Sequence, residues 1–535
     1  MVVLAVLLVA VRWGDRARSL FTWDAHTFAI ALEDYNVRGL HPHAPGYPLY
    51  VALGKLATFV WPDANDAYVA LSLAFTAAAC AMLYGLSRAV ANRAVALASL
   101  SLLLAAPLVY VHSVTATVYT ADMACSLAVA WAAWACHHDP TRRRALALAV
   151  LFAIAVGIRP SIILFLLPVV AWGALRPPWS LREQSGRLLP AAVAGAAVAL
   201  AWFIPMTQAS GGLAGWRQAN SLQTDFVVFG HTAFSDGLPI LKDNVARLVL
   251  FLRWELLWVV PALVGAVVFG WAFARRTSLA ALPQTAAAQQ KDPRRTRAAF
   301  LALWALPSLL FYALIFDGWN DGPSGYALVV LPVLLLAAVL AVGPTVAAVV
   351  RRAPSAAVVL ASLLVLVPAV GLASHAHDIQ DLDYKAHDAW VEAWSHLPEA
   401  FPPTNSSIVA WWQFAHVWYA FPAYTSYDYR PAAQGPGETP DFLLIQEAKG
   451  RKASPDWYDE IAAHKTAGPH PLANGTKHLV LFDFQLAGEN GGPRQVRPEI
   501  PVREAFLPSG WRVLVVDTTP DRPLLEDYFT MEGTA

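Results

Sequence analysis

The strongest constraint in this sequence is a series of long apolar runs along its first 373 residues. A helix of about 20 apolar residues crosses a hydrocarbon core of about 30 Å. Charged residues make up 14% of the chain, whereas a soluble domain has about 25%. The sequence therefore predicts an all-α polytopic membrane protein rather than a water-soluble enzyme. We interpret eleven runs as spans: 2–11, 67–87, 94–111, 122–137, 144–158, 161–175, 188–206, 255–274, 298–316, 325–343 and 354–373.

The distribution of Lys and Arg predicts the orientation of these spans. Short cytoplasmic loops carry an excess of positive residues. Basic residues cluster in alternate loops, at 88–93, 142–144, 176–187, 275–297 and 351–352. We expect these loops to be cytoplasmic in a bacterial inner membrane. The periplasmic, outer face then receives 12–66, 112–121, 207–254, 317–324 and the tail. In this scheme 48–61 is a helix at the outer surface. If it were a further span, all later loops would lie on the opposite side of the membrane.

The tail differs in character from the first 373 residues. It is polar and aromatic, and its short apolar runs at 408–412, 442–445, 478–484 and 512–516 are typical of buried strands. We predict a membrane domain at 1–373, with the first outer loop at 12–66 and a long outer loop at 207–254. A soluble α/β domain at 374–535 follows on the outer face. Loops as long as 207–254 often act as lids.

Charge and motifs exclude several function classes. The chain has 38 Lys and Arg against 38 Asp and Glu, so it is not a polybasic nucleic-acid binder. Its three cysteines lie in apolar runs without metal-ligand spacing. It has neither a Walker motif nor a dinucleotide glycine fingerprint. We expect no cofactor and no metal, although His26, His41 and His43 share one loop and imidazoles suit zinc.

The first outer loop holds the most informative polar residues. Asp24 follows Trp23, and the rigid run His43-Ala44-Pro45-Gly46-Tyr47-Pro48-Leu49-Tyr50 comes about twenty residues later. Asp24 could take a proton from an acceptor hydroxyl as a general base; alternatively it caps a helix that begins near Ala25. His43 could donate to a phosphate oxygen or be an ordinary interfacial histidine. Tyr47 is a candidate substrate contact.

Further candidates lie on the same predicted face. Asp122 begins a span and could hold substrate or support Asp24; alternatively it only favours the positive helix end. Tyr119, just before this span, is a candidate substrate contact. Arg159 stands between two apolar runs and needs an anion, either a lipid phosphate or Asp122. Tyr326 could line the cavity or anchor the chain at the interface.

These motifs resemble those of GT-C class membrane glycosyltransferases. The 43–50 run looks like the His-Pro-Pro-Gly-Tyr-Pro-Leu signature of the DUF2723 branch, which is related to protein O-mannosyltransferases, and is similar to an element of aminoarabinose transferases. The resemblance implies polyprenyl-phosphate sugar donors and a catalytic aspartate, here Asp24. The family often has a second acid beside this aspartate or three residues later, where this chain has Ala25 and Thr27.

We therefore expect an inverting glycosyltransferase that transfers a sugar from a polyprenyl phosphate to a protein, glycan or lipid hydroxyl at the outer face. The lipid bilayer is its other expected partner. Two alternatives stay open: a transporter or flippase of lipid-linked sugars, and a non-catalytic assembly protein with the GT-C fold. Transporters typically have repeated halves and ionisable residues near mid-bilayer. The sequence shows neither feature.

Overall fold

The structure is a computed structural model of the chain. It describes residues 7, 11–175, 181–227, 232–249, 252, 293–315, 324–352, 384–411, 414–430, 441–446, 469–487 and 494–529. The chain divides into two compact units. The helical unit comprises Met1–Arg18, Pro45–Met206 and Gln223–Asp383, and the sheet unit comprises Ser19–Ala44, Thr207–Leu222 and Tyr384–Ala535. The predicted domain boundary near 373 lies outside the described residues and stays a prediction.

Helices dominate the described chain, as the apolar runs predicted. They include α1 (Trp23–Glu33), α2 (Pro48–Ala57), α3 (Ala64–Val90), α4 (Arg93–Leu104), α5 (Pro107–Val114), α6 (Tyr119–His138), α7 (Arg142–Ile158), α8 (Ile162–Ala174), α9 (Leu181–Ala209), α10 (Gly212–Val227), α11 (Pro293–Leu314), α12 (Leu331–Arg352), α13 (Tyr384–Trp394), α14 (Leu397–Ala400) and α15 (Phe414–Ala420).

Polar residues set where several of these helices begin. The side chains of Asp63, Asn92 and Thr141 each accept a hydrogen bond from a backbone N–H in the first turn of α3, α4 and α7. Such caps satisfy donors that a helix start leaves without partners. Pro107 begins α5, where its missing N–H costs nothing. The run at 94–111, predicted as one span, is thus two helices bent by 60°.

Three described helices have the length and apolar composition of membrane spans: Ala64–Val90, Gln184–Ala209 and Arg295–Leu314. The bent pair α4 and α5 makes a fourth if it is one span. The predicted spans at 255–274 and 354–373, and nearly all of 2–11, lie outside the described residues. The eleven-span count and the orientation therefore stay predictions, while apolar helices typical of an integral membrane protein are present.

Local differences from the expectations have local causes. The span predicted at 325–343 opens with a 3-10 helix at Ser324–Val329 before α12 begins. The long loop predicted at 207–254 holds α10 and a second helix at 238–249. Gly211 and Gly212 both have φ of +78° at the turn between α9 and α10. Glycine adopts this left-handed backbone without steric cost, so the chain turns there and helix resumes.

The sheet unit is built on a six-stranded mixed sheet. Its strands are β1 (Ser406–Ala410), β2 (Thr425–Arg430), β3 (Asp441–Gln446), β4 (His478–Leu481), β5 (Arg503–Phe506) and β6 (Arg512–Asp517). Their order is β3-β2-β1-β4-β6-β5. β1 pairs in parallel with β2 and β4, and the outer pairs are antiparallel. Every residue of β1 is buried, as expected of a central parallel strand. Each of the four apolar runs that we predicted to be strands overlaps one of these six strands.

Candidate active site

Helix α1 positions Asp24, and its start is anchored inside the sheet unit. The Thr22 hydroxyl accepts a hydrogen bond from the Ala25 N–H at 3.2 Å and caps the helix. Upstream, the N–H and hydroxyl of Ser19 both donate to Asp388, at 2.8 and 2.5 Å. The helix thus begins earlier than the sequence suggested. Asp24 lies in its first turn and is not the cap.

Asp24 faces the histidine of the downstream motif. Oδ1 of Asp24 lies 3.6 Å from Nδ1 of His43, and the side chains are 26% and 8% exposed. The Thr27 hydroxyl lies 3.4 Å from the same nitrogen and donates to the backbone carbonyl of Asp24 at 2.9 Å. Trp23 and Phe28 flank the His43 ring, with centroids at 5.6 and 5.7 Å. An accessible carboxylate therefore lies beside a buried imidazole.

The other two histidines of the first loop serve different partners. Nδ1 of His26 bonds the Thr22 carbonyl at 2.9 Å, and Nδ1 of His41 bonds the Asp34 carbonyl at 2.5 Å. Burial lowers the pKa of His26 to about 3 and also lowers the pKa of His41. Within the part of the chain that the structure describes, no group of three His, Cys, Asp or Glu residues has metal-binding geometry. The structure thus does not bring His26, His41 and His43 together as a set of three metal ligands.

The rigid run after His43 turns the chain into α2. Gly46 has φ of +117° and Tyr47 has φ of +47°. A left-handed tyrosine is unusual, and its backbone is held by the glycine before it and by Pro48 at the first helical position. Tyr47 is 5% exposed in the helical unit. It lies in the neighbourhood of Arg159.

Asp122 and Arg159 form a buried ion pair within the helical unit. Asp122 is in the first turn of α6, and Arg159 is the residue after α7. The Arg159 guanidinium donates to the Asp122 carboxylate, and the two side chains are 10% and 3% exposed. Nε of Arg159 donates to the Ser161 hydroxyl at 3.1 Å. The ion pair is the alternative that the sequence left open for Arg159.

Two aromatic rings enclose this ion pair. The guanidinium carbon of Arg159 lies 5.5 Å from the Tyr119 ring centre and 5.4 Å from that of Tyr326. The two rings meet edge to face at 5.2 Å. Such cation–π contacts stabilise a desolvated guanidinium. Gly325 lies directly against the Tyr119 ring, where a larger residue would collide. The structure thus brings Tyr119, Asp122, Arg159 and Tyr326 together.

Sequence reasoning missed His112 beside this cluster. Its ring is fully buried and lies edge to face against Tyr119 at 5.1 Å. Nδ1 of His112 is 3.3 Å from the Thr117 hydroxyl. A histidine and two threonines at the end of an apolar helix were visible in the sequence as a polar interruption. Nothing local indicated that they fold onto Tyr119.

Comparison with known proteins supports the resemblance seen in the first loop. Residues 39–182 match the family model of the protein O-mannosyl-transferase TMEM260 N-terminal domain. This segment contains His43, Tyr47, Tyr119, Asp122 and Arg159, while Asp24 precedes it. Among curated proteins no relative matches the chain.

One solved structure shows a similar fold along nearly the whole chain, and two others have lower TM-scores. ArnT from Cupriavidus metallidurans bound to undecaprenyl phosphate has a TM-score of 0.56 and 13% identity, with 97% of each chain covered. Its apo state has a TM-score of 0.49 and 15% identity, covering 96% of this chain and 97% of that one. The Archaeoglobus fulgidus oligosaccharyltransferase tethered to an acceptor peptide has a TM-score of 0.42 and 15% identity, covering 99% and 76%.

The sequence match covers one segment, and the ArnT likeness extends along the chain as a similarity of fold. Together they confirm the resemblance that the first loop indicated: this chain is similar to the GT-C class of membrane glycosyltransferases, with a protein O-mannosyl-transferase-like segment at residues 39–182.

Proposed function

We propose that this protein is an inverting glycosyltransferase that moves a sugar from a polyprenyl phosphate to an acceptor hydroxyl at the outer face of a membrane. The observation that carries the proposal is the partly exposed Asp24 carboxylate 3.6 Å from the buried His43 ring. The match of residues 39–182 to a protein O-mannosyl-transferase model supports the reaction class. The undecaprenyl phosphate bound to the similarly folded ArnT supports a lipid phosphate as carrier.

Asp24 acts as the general base in this proposal. The acceptor oxygen attacks the anomeric carbon while the bond from that carbon to the phosphate oxygen breaks. The phosphate leaves with the bonding electrons, and Asp24 receives the acceptor proton. A single displacement inverts the anomeric centre. Because a lipid phosphate is a good leaving group, one base and a site for the departing charge are sufficient.

His43 and Thr27 position the base. Nδ1 of His43 faces Asp24 and Thr27, so a phosphate contact by His43 would use its other nitrogen, Nε2. Thr27 stands where the family often has a second acid. Its hydroxyl links the Asp24 backbone to the His43 ring, so a neutral group helps to orient Asp24.

Arg159 is the proposed anchor for the lipid phosphate. A guanidinium binds phosphate oxygens through paired N–H donors. Asp122 and Ser161 already hold two sides of Arg159, and Tyr119 and Tyr326 pack against it. We assign Asp122 to positioning Arg159 rather than to proton transfer. Tyr47 and Tyr326 are proposed to line the same phosphate site.

The test is a transfer assay in nanodiscs with a panel of radiolabelled polyprenyl-phosphate sugars and native membranes as acceptor. Removal of a general base costs about 10²–10⁴-fold in rate. We expect Asp24→Asn to lose transfer by that factor while it still binds polyprenyl phosphate. Glu33→Gln removes the other carboxylate of α1 and is the matched control, with transfer expected near that of the wild type.

Either of two results would contradict this assignment. Transfer that persists in Asp24→Asn would leave the reaction class in place and remove the base. A loss in Glu33→Gln instead would move the base to the other end of α1. A folded protein that binds polyprenyl phosphate and transfers no sugar from any donor would favour a non-catalytic lipid-binding role.

A further inference from the structure

His112 has a ring nitrogen that the protein leaves without a partner. The residue lies in the last turn of α5 and is fully buried. Nε2 has no hydrogen-bond partner among residues 11–175 or elsewhere in the described chain. Leaving a buried polar atom without a partner is energetically unfavourable. Such an atom beside a charged cluster therefore indicates a group that binds there.

The contacts on the other side of the ring determine its hydrogen-bonding role. The Thr117 hydroxyl is 3.3 Å from Nδ1 and 3.5 Å from the backbone carbonyl of His112. The hydroxyl has one hydrogen. Both contacts are satisfied together when Thr117 donates to the carbonyl and Nδ1–H donates to the Thr117 oxygen. In that tautomer Nε2 is an acceptor, so it fits a hydroxyl donor and not a phosphate oxygen.

The position of the ring relates it to the proposed phosphate anchor. Tyr119 lies 5.1 Å from the His112 ring centre and 5.5 Å from the Arg159 guanidinium. One aromatic ring thus separates the acceptor atom from the cation. Thr120, the next residue of α6, also has a buried hydroxyl oxygen without a partner in the described chain. An uncharged polar atom one ring away from a phosphate anchor, such as His112 Nε2, suits a hydroxyl of a phosphate-linked sugar.

We propose that His112 accepts a hydrogen bond through Nε2 from a substrate hydroxyl, most simply a hydroxyl of the transferred sugar. The inference rests on the phosphate role proposed for Arg159. It adds a specificity-determining residue to that site, since His112 favours sugar-bearing lipids over the bare lipid phosphate.

The experiment measures binding rather than turnover. Wild type and variants in nanodiscs are titrated with polyprenyl phosphate, polyprenyl-phosphate mannose and polyprenyl-phosphate glucose. We expect the wild type to bind at least one sugar-bearing lipid more tightly than the bare lipid. One lost neutral hydrogen bond corresponds to about 3- to 10-fold in affinity. His112→Phe should remove a preference of that size, and His112→Gln should retain part of it because its amide oxygen can accept.

Two further variants separate the possible outcomes. His137→Phe changes a histidine at the opposite end of α6 and should keep the wild-type preference. Arg159→Gln should weaken the binding of all three lipids by a similar factor. If it does not, Arg159 is not the phosphate anchor, whatever the result for His112.

A second arm distinguishes the source of the hydroxyl. If His112→Phe leaves the lipid preference unchanged but raises the KM for acceptor, the hydroxyl belongs to the acceptor. If His112→Phe melts like the wild type and changes neither lipid preference nor acceptor KM, the inference is overturned.

Discussion

At the scale of single residues, the buried pair of Arg159 and Asp122 shows how position decides the energetic importance of a charge. Removing two charges from water costs several kcal/mol per ion, and their attraction repays this only with good geometry and further hydrogen bonds. Ser161 and two tyrosine rings provide these additional contacts. The pair is thus built to hold a guanidinium in place and need not raise overall stability.

The stability lost when this ion pair is broken should depend on which partner is removed. Asp122→Asn leaves Arg159 charged and buried, since a guanidinium keeps its proton. We expect a loss of about 3–5 kcal/mol in the free energy of unfolding. Arg159→Gln should cost less because the remaining carboxyl can bind a proton. Unfolding in detergent with added denaturant measures both, and the double variant should recover part of the loss.

The exposed pair of Arg247 and Asp243 is the control for that comparison. It has a 2.7 Å contact, but its side chains are 35% and 49% exposed. Solvent screens such pairs, and they contribute about 0–1 kcal/mol. Asp243→Asn should therefore change the free energy of unfolding very little. Equal losses at Asp122 and Asp243 would show that burial does not govern the stability of these pairs.

At the scale of helices, small residues set how closely two of them approach. A Cβ built on Gly173 of α8 would lie 2.7 Å from Cα of Ala133 in α6. A backbone atom cannot move aside as a flexible side chain can. Helix interfaces in membranes use such small residues because close packing drives their association. The local sequence showed a glycine in an apolar run but not the helix it touches.

Gly173→Ala should therefore destabilise the helical unit although alanine is the better helix former. Overpacking costs about 1–3 kcal/mol, more than the propensity gain of about 1 kcal/mol. Gly186→Ala in α9 is the matched control, because no atom lies within 4 Å of its added Cβ. We expect a lower melting temperature for the first variant and an unchanged or higher one for the second. The reverse order would refute the close contact of α6 and α8.

At the scale of the whole molecule, residues far apart in sequence build the surroundings of helix α1 within the sheet unit. His416 of α15 packs against His26 of α1 at 4.7 Å and against His387 of α13 at 5.8 Å. Both nitrogens of His416 lack hydrogen-bond partners in the described chain. Burial and the two neighbouring histidines lower the pKa of His416 well below its usual value, and burial lowers that of His387.

From these histidines we predict that the sheet unit loses stability in mild acid. Because their native pKa values are depressed, the unfolded chain binds more protons as the pH falls below 6.5, the reference value for histidine. The stability is present above that pH and declines towards about pH 3, the pKa of His26. His416→Phe should show a smaller drop in melting temperature between about pH 7.5 and about pH 5 than the wild type. The same drop in both proteins would exclude His416 as a source of acid sensitivity.

Much of the architecture was accessible to sequence reasoning because it depends on neighbours in the chain. Apolar length predicted helices, short apolar runs in the tail predicted strands, and the His43–Tyr50 run indicated the glycosyltransferase resemblance. Caps and breaks were harder. Thr22, not Asp24, caps α1, and a bend of 60° separates α4 from α5. Side-chain hydrogen bonds and proline decide these features within a few residues, where composition is a weak guide.

The sequence by itself determined the membrane class, most helix positions and the candidates Asp24, Asp122 and Arg159. Only the tertiary structure decided their partners. It paired Asp24 with His43, paired Arg159 with Asp122, and turned His112 onto Tyr119. Ser19 and Asp388 meet although 369 residues separate them. The reason is physical: apolar periodicity is written in consecutive residues, whereas the partner of a buried polar group depends on which distant segments pack together.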